Sequence, residues 1–158
     1  MGVRVLLAGQ DDAFRRALAQ RLAAVGNIDV VASARDGDEA VELYRKLPLD
    51  VVLMDVGMPG CGGIEATRRI VAVDADARII ALAGDEDHRA LEQCLGAGAR
   101  GCLKKGHDTV GLAVLMVALA IAPARREDAP GPARAHTWKL APRRLALRWG
   151  ARGLTAGA

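Results

Sequence analysis

Apolar residues fall along this chain in short runs that alternate with stretches of helical spacing. Val3 to Ala8 reads as a strand. It is followed by Ala13 to Val25, where Phe14, Ala17, Leu18, Leu22 and Val25 form one helix face and Asp12 is expected as the N-cap. Gly26-Asn27 ends that helix, Ile28 to Ala34 is a second strand, and Asp38 to Leu47 is a helix stopped before Pro48. Val51-Val52-Leu53-Met54 is too short for a helix and reads as a strand buried on both faces, closing at Asp55. Gly57, Pro59, Gly60, Gly62 and Gly63 turn the chain before a helix from Ile64 to Val71. Arg78 to Ala83 is a fourth strand, and Asp85-Glu86-Asp87 opens a helix closed by Gly96 and Gly98. Gly101 to Leu103 is a fifth strand ending in Lys104-Lys105, and Thr109 to Ile121 is a last helix before Pro123. Strict strand-helix alternation predicts an α/β fold, a five-stranded parallel sheet with helices on both faces.

Asp55 then sits at a carboxyl strand end, the edge where ligands collect in open α/β sheets, and is expected to be presented rather than buried. With 158 residues, 51% hydrophobic but only 3% aromatic, the core must be built from Ala, Val, Leu and Ile. Charge is unevenly spread: residues 1–122 carry 14 Lys/Arg and 17 Asp/Glu, and residues 123–158 carry 8 and 2. An acidic body with a basic tail assigns any polyanion contact to the tail. Cys61, Cys94 and Cys102 are odd in number and lack metal spacing, which fits a reducing cytoplasm. No signal-peptide pattern opens the chain, and the charge-free run Val110 to Ala122 is shorter than the roughly 20 residues of a membrane span, so no membrane partner is expected. His88, His107 and His136 are scattered, and P-loop, dinucleotide, Gly-x-Ser-x-Gly and zinc patterns are missing, so an enzyme acting on an external substrate is not expected.

The segment from Asp55 through Met58-Pro59-Gly60-Cys61-Gly62-Gly63-Ile64-Glu65-Ala66-Thr67-Arg68-Arg69-Ile70 resembles the phospho-acceptor segment of bacterial response-regulator receiver domains. The resemblance covers residues 1–122 and implies the flavodoxin-like, CheY-like strand order 2-1-3-4-5. Residues 123–136 are a linker rich in Pro, Ala and Arg. Residues 137–158, with Leu140-Ala141-Pro142-Arg143-Arg144 and Ala151-Arg152-Gly153-Leu154-Thr155, look like the opening of the helix-turn-helix effector domain of NarL/FixJ (LuxR-type) regulators, cut off before the recognition helix.

What the resemblance implies about the site is mixed. Asp55 matches the phospho-acceptor, Gly57 the residue whose carbonyl serves the metal, and Lys105 the lysine at the end of strand 5. The acidic pair that holds Mg2+ falls, without gaps, on Gly9 and Gln10, leaving Asp11 one step further on; moving it to Asp11-Asp12 requires a two-residue deletion. Asp55, helped by Asp11 and Gly57, would form a weakened Mg2+ site, since magnesium is usually held by one or two carboxylates with phosphate oxygens and water. The switch hydroxyl falls on Ala83 and the switch aromatic on Cys102.

The last helix is apolar all round, which predicts that something covers it: a second copy of the chain, giving a homodimer through this region, or the tail. The resemblance implies a response regulator that takes a phosphoryl group from a sensor histidine kinase onto Asp55 and controls transcription. Gly9, Gln10, Ala83 and Cys102 support the alternative, a receiver that works by protein contacts without phosphorylation. DNA binding by this length of chain is expected to be weak and non-specific, because the recognition helix is missing.

Overall fold

A computed structural model describes residues 2–84, 88–106 and 109–121. Ten elements alternate: β1 (Val3–Ala8), α1 (Asp12–Val25), β2 (Ile28–Ala34), α2 (Gly37–Lys46), β3 (Val51–Asp55), α3 (Gly62–Val73), β4 (Ile79–Ala83), α4 (His88–Gly96), β5 (Gly101–Lys104) and α5 (Thr109–Ile121). All strand pairs are parallel, in the order β2-β1-β3-β4-β5. The linker, the effector-like tail and the acidic Asp85-Glu86-Asp87 opening lie outside the described residues.

Successive side chains on a strand point to opposite faces, and the three central strands split their apolar residues accordingly. Val5, Leu7, Val51, Leu53, Ile80 and Leu82 pack with Leu22 of α1 and Leu112, Ala113 and Met116 of α5. Leu6, Ala8, Val52, Met54, Ile79 and Ala81 pack with residues of α2, α3 and α4. Both faces of β3 are covered, which is why its apolar run is unbroken. Burying a side chain such as Leu53 contributes on the order of 1.5–3 kcal/mol, and such burial, with few aromatics, carries the fold.

Two local expectations change. The cap of α1 is Asp11, not Asp12: Asp11 is extended (φ −81°, ψ 110°) and its side chain accepts from Phe14 N at 3.1 Å. Asp12 is already helical, and its carboxylate pairs with Arg15 at 2.9 Å and with Arg16. The last helix is two-faced despite its uniform composition. Leu112, Ala113 and Met116 are buried, whereas Val114, Val117 and Ile121 are exposed and, spaced by three and four residues, form an outer stripe.

Candidate functional site at the carboxyl edge of the sheet

The register brings four strand ends to one edge. Ala8 pairs with Met54, Asp55 with Leu82 and Ala83 with Lys104, so Gly9, Asp55, Ala83 and Lys105 close the sheet side by side. Backbone bonds extend this edge: Val56 N donates to Leu82 O at 2.9 Å and Lys105 N to Ala83 O at 2.8 Å.

Asp55 is 1% exposed, so the expectation of a presented carboxylate is corrected. The short strand pattern marks where β3 ends but not what folds over it. Its Oδ1 accepts from Gly57 N at 3.0 Å, and its Oδ2 accepts from Lys105 Nζ at 2.5 Å. The lysine side chain, 31% exposed, is the lid. It crosses the ring of Phe14, with Nζ 5.5 Å from the ring centroid, an arrangement in which an aromatic face favours a cation. A buried carboxylate is tolerated only with such a partner, because an isolated charge would lose its hydration uncompensated.

The loop after β3 is held close to the strand. A Cβ on Gly63 would stand 2.8 Å from Val56 Cα and nearer still to the Asp55 carbonyl oxygen, so the start of α3 approaches β3 at a distance only glycine allows. Asp38 Oδ2 accepts from Cys61 N at 3.1 Å, and Arg69 pairs with Asp38 at 3.0 Å, fastening α2 to the same loop.

Gly9 leaves the space beside Asp55 without a side chain: a Cβ there would lie 3.5 Å from Asp55 Oδ2 and 3.8 Å from Arg15 Cγ. Arg15 was not anticipated from the sequence. Its NH1 donates to the Gly9 carbonyl, its NH2 bonds Asp12, and its buried Nε has no hydrogen-bond partner among the described residues. Only the three-dimensional position of α1 over the β1 loop reveals it, since an Arg on an amphipathic helix ordinarily reads as a solvated residue.

The donor set of a magnesium site is not assembled here. Gly9 contributes no carboxylate, Gln10 is exposed, and Asp11, also exposed, spends Oδ1 on its helix cap. Gly57 meets Asp55 through its N–H, and the Asp55 oxygens are both hydrogen-bonded. Among the described residues no group of three or more His, Cys, Asp or Glu could hold a metal. A divalent cation among one carboxylate, a lysine and an arginine would face two positive charges, so the residues present do not fit it.

Ala83 is fully buried in the core on the α2–α4 face, and Cys102 packs against that core. Both positions are filled by apolar packing rather than by a hydroxyl and an aromatic ring. Burial pushes the Cys102 and Cys94 thiols up, and all three cysteines are free. His88 is exposed; His107 and His136 lie outside the described residues. Among the described residues no helix is long and apolar enough to cross a membrane.

Comparison with known proteins agrees with this geometry. Residues 5–116 match the family model described as response regulator receiver domain. Response regulator GacA of Pseudomonas viridiflava is 37% identical over 119 residues, covering 75% of this chain and 54% of GacA. Response regulator UvrY of Escherichia coli K12 is 39% identical over 104 residues, 66% of this chain and 48% of UvrY. The chain thus spans about half the length of these curated relatives. Among solved structures, a LuxR-family two-component response regulator from Aurantimonas superposes with a TM-score of 0.71 at 30% identity, covering 81% of this chain and 91% of that one. The receiver domain of a NarL response regulator from Mycobacterium tuberculosis gives 0.71 at 26% identity, covering 77% and 98%.

Proposed function

Because the chain belongs to the response regulator receiver domain family, we propose that Asp55 is its phospho-acceptor and that a sensor histidine kinase supplies the phosphoryl group. The observation that carries this reading is the Asp55–Lys105 pair, 2.5 Å apart, which joins the ends of β3 and β5 across β4. In the reaction an Asp55 oxygen attacks phosphorus, the P–N bond of a phosphohistidine breaks, and the electron pair leaves with the imidazole nitrogen. Lys105 exchanges its bond to Oδ2 for one to a phosphoryl oxygen. Gly57 N–H holds Oδ1, and Arg15, on the Gly9 side, adds positive charge near the position where the acidic pair would stand. Charge-assisted bonds of this kind are worth roughly 1.5–3 kcal/mol each. With no hydroxyl at Ala83 and no acidic pair, transfer is expected to be slow.

The output side follows from resemblance and surface. GacA and UvrY are named as response regulators, and residues 137–158 resemble the start of a LuxR-type effector, which supports transcriptional control in the cytoplasm as the proposed role. The outer stripe of α5, with Val114 56% and Ile121 79% exposed, supports a homodimer through this helix. By itself this chain would touch DNA only through the sequence-independent attraction of its basic residues.

The test is intact mass after incubation with acetyl phosphate, beside Asp55→Asn and a standard receiver. A phosphoryl adduct lost in Asp55→Asn supports the proposal. An unmodified wild type, with the standard receiver labelled, overturns it and leaves a receiver that acts through protein contacts alone.

A further inference from the structure

Arg15 is drawn in where the site lacks its acidic pair. Its side chain is 12% exposed although it leaves the first turn of a surface helix. Gly9 stands between it and the acceptor: a Cβ on Gly9 would lie 3.5 Å from Asp55 Oδ2 and 3.8 Å from Arg15 Cγ. The present partners of Arg15 hold it lightly. NH1 donates to the Gly9 carbonyl, which is neutral, and NH2 bonds Asp12 at 2.9 Å. Asp12 is exposed and also pairs with Arg16, so it keeps a cation if Arg15 turns away. Arg15 Nε is buried with no hydrogen-bond partner among the described residues, a donor whose lost hydration nothing in the resting site offsets.

Resting on the reading of Asp55 as phospho-acceptor, we propose that Arg15 takes the place of the divalent cation, so that this receiver is phosphorylated without Mg2+. Gly9 and Gln10 remove the carboxylates that would hold the ion. The same loss leaves the guanidinium available, since an aspartate at position 9 would engage it in a charge pair of its own. With an acyl phosphate as donor, an Asp55 oxygen attacks phosphorus, the bond from phosphorus to the acyl oxygen breaks, and its electron pair leaves with the carboxylate. The charge on the phosphoryl oxygens is met by Lys105 at one and by Arg15 at another, the latter through Nε and an NH2 group, the paired donors with which a guanidinium takes phosphate oxygens. Arginine keeps its charge throughout, so it serves as a fixed cation at any concentration of free Mg2+.

The experiment follows the Asp55 adduct by intact mass in the full chain given acetyl phosphate, in millimolar Mg2+ and in EDTA, beside a standard receiver that carries the acidic pair. Equal rates in the two media are expected for this chain, and labelling in Mg2+ alone for the standard. Arg15→Gln should be labelled about tenfold to a hundredfold more slowly in both media, what one charge-assisted bond contributes, and Arg15→Lys should recover part of that loss. Gly9→Asp/Gln10→Asp keeps Arg15 and is expected to need Mg2+, which holds the test open should Arg15→Gln fail to fold. A direct readout is the Arg15 Nε–H resonance, identified by its loss in Arg15→Lys. In EDTA it should shift when acetyl phosphate is added to the wild type and stay in place in Asp55→Asn. Wild-type labelling confined to Mg2+, an undiminished rate in folded Arg15→Gln, a Gly9→Asp/Gln10→Asp variant labelled equally in EDTA, or a stationary resonance would each overturn the inference while leaving Asp55 as acceptor. No adduct in either medium, with the standard receiver labelled, overturns both.

Discussion

Lys105 Nζ lies 2.5 Å from Asp55 Oδ2, a bond between residues 50 positions apart that closes the carboxyl edge of the sheet over a carboxylate 1% exposed. The two partners are not equivalent, since 31% of the lysine side chain reaches solvent. Lys105→Met should destabilise the fold by about 1–3 kcal/mol, because it strands a buried charge on the single N–H of Gly57. Asp55→Asn should cost less than about 1 kcal/mol, as Asn still accepts from Gly57 and Lys105 can turn to water. The double variant should be more stable than Lys105→Met alone. Urea unfolding of the four proteins reads this cycle; additive losses would mean that the pair is not coupled.

Gly9 and Gln10 separate this receiver from one that carries an acidic pair. The Cβ position at Gly9 is 3.5 Å from Asp55 Oδ2, ordinary contact, so Gly9→Asp is sterically admissible. In the Gly9→Asp/Gln10→Asp variant the new carboxylates repel Asp55, and the melting temperature should fall without metal. Millimolar Mg2+ should then restore it, by up to about 2.7 kcal/mol where the ion is 100-fold above its Kd. The wild-type melting temperature is expected to ignore the same Mg2+. A wild-type shift as large as that of the variant would show that the site holds the ion without the pair.

Gly63 is set by close approach rather than by a turn. Gly63→Ala forces its methyl against the backbone of Asp55 and Val56, which cannot yield as a flexible side chain would. A loss of about 1–3 kcal/mol is expected, together with displaced amide resonances at Asp55 and Gly57. Gly26 offers the control for space, having no atom within 4 Å of its Cβ position, although its φ of +84° makes alanine strained there for a different reason.

Tyr44 Oη donates to Asp74 Oδ2 at 2.6 Å, tying α2 to the end of α3. Burial first, then this bond and the Asp74 charge, push the phenol well above its ordinary value of 10.0. The unfolded chain therefore loses the Tyr44 proton before the folded one does. The contribution is fully present below pH 10 and declines as pH rises from there toward the folded value. Subtracting the stability of Tyr44→Phe from that of the wild type between pH 8 and pH 11 should give a difference that is flat at first and then falls. A difference independent of pH would remove this linkage.

Val114, Val117 and Ile121 leave an apolar stripe on the outside of α5. If a second copy covers it, the wild type should dimerise with concentration in sedimentation velocity, and Val114→Glu/Val117→Glu should remain monomeric with an unchanged circular dichroism spectrum. A wild type that stays monomeric at high concentration rules the homodimer out.

Much of this protein was legible in one dimension because the signals were local. Runs such as Val51 to Met54 can only be short strands buried on both faces, the intervening helical spacings fall between them, and a parallel sheet follows from the alternation. The identity of Asp55 and Lys105 was equally visible, each at the end of its run. Contacts across the chain decided the rest. Nothing near Asp55 in sequence announces that Lys105 will cover it, that Phe14 will lie under that lysine, or that Arg15 will stand on the Gly9 carbonyl. Asp11 and Asp12 are adjacent acids, and only the backbone conformation chose which caps α1 and which pairs with Arg15 and Arg16. The uniform apolarity of α5 likewise hid its two faces, since composition records what a helix could bury and the neighbouring sheet sets which half it does.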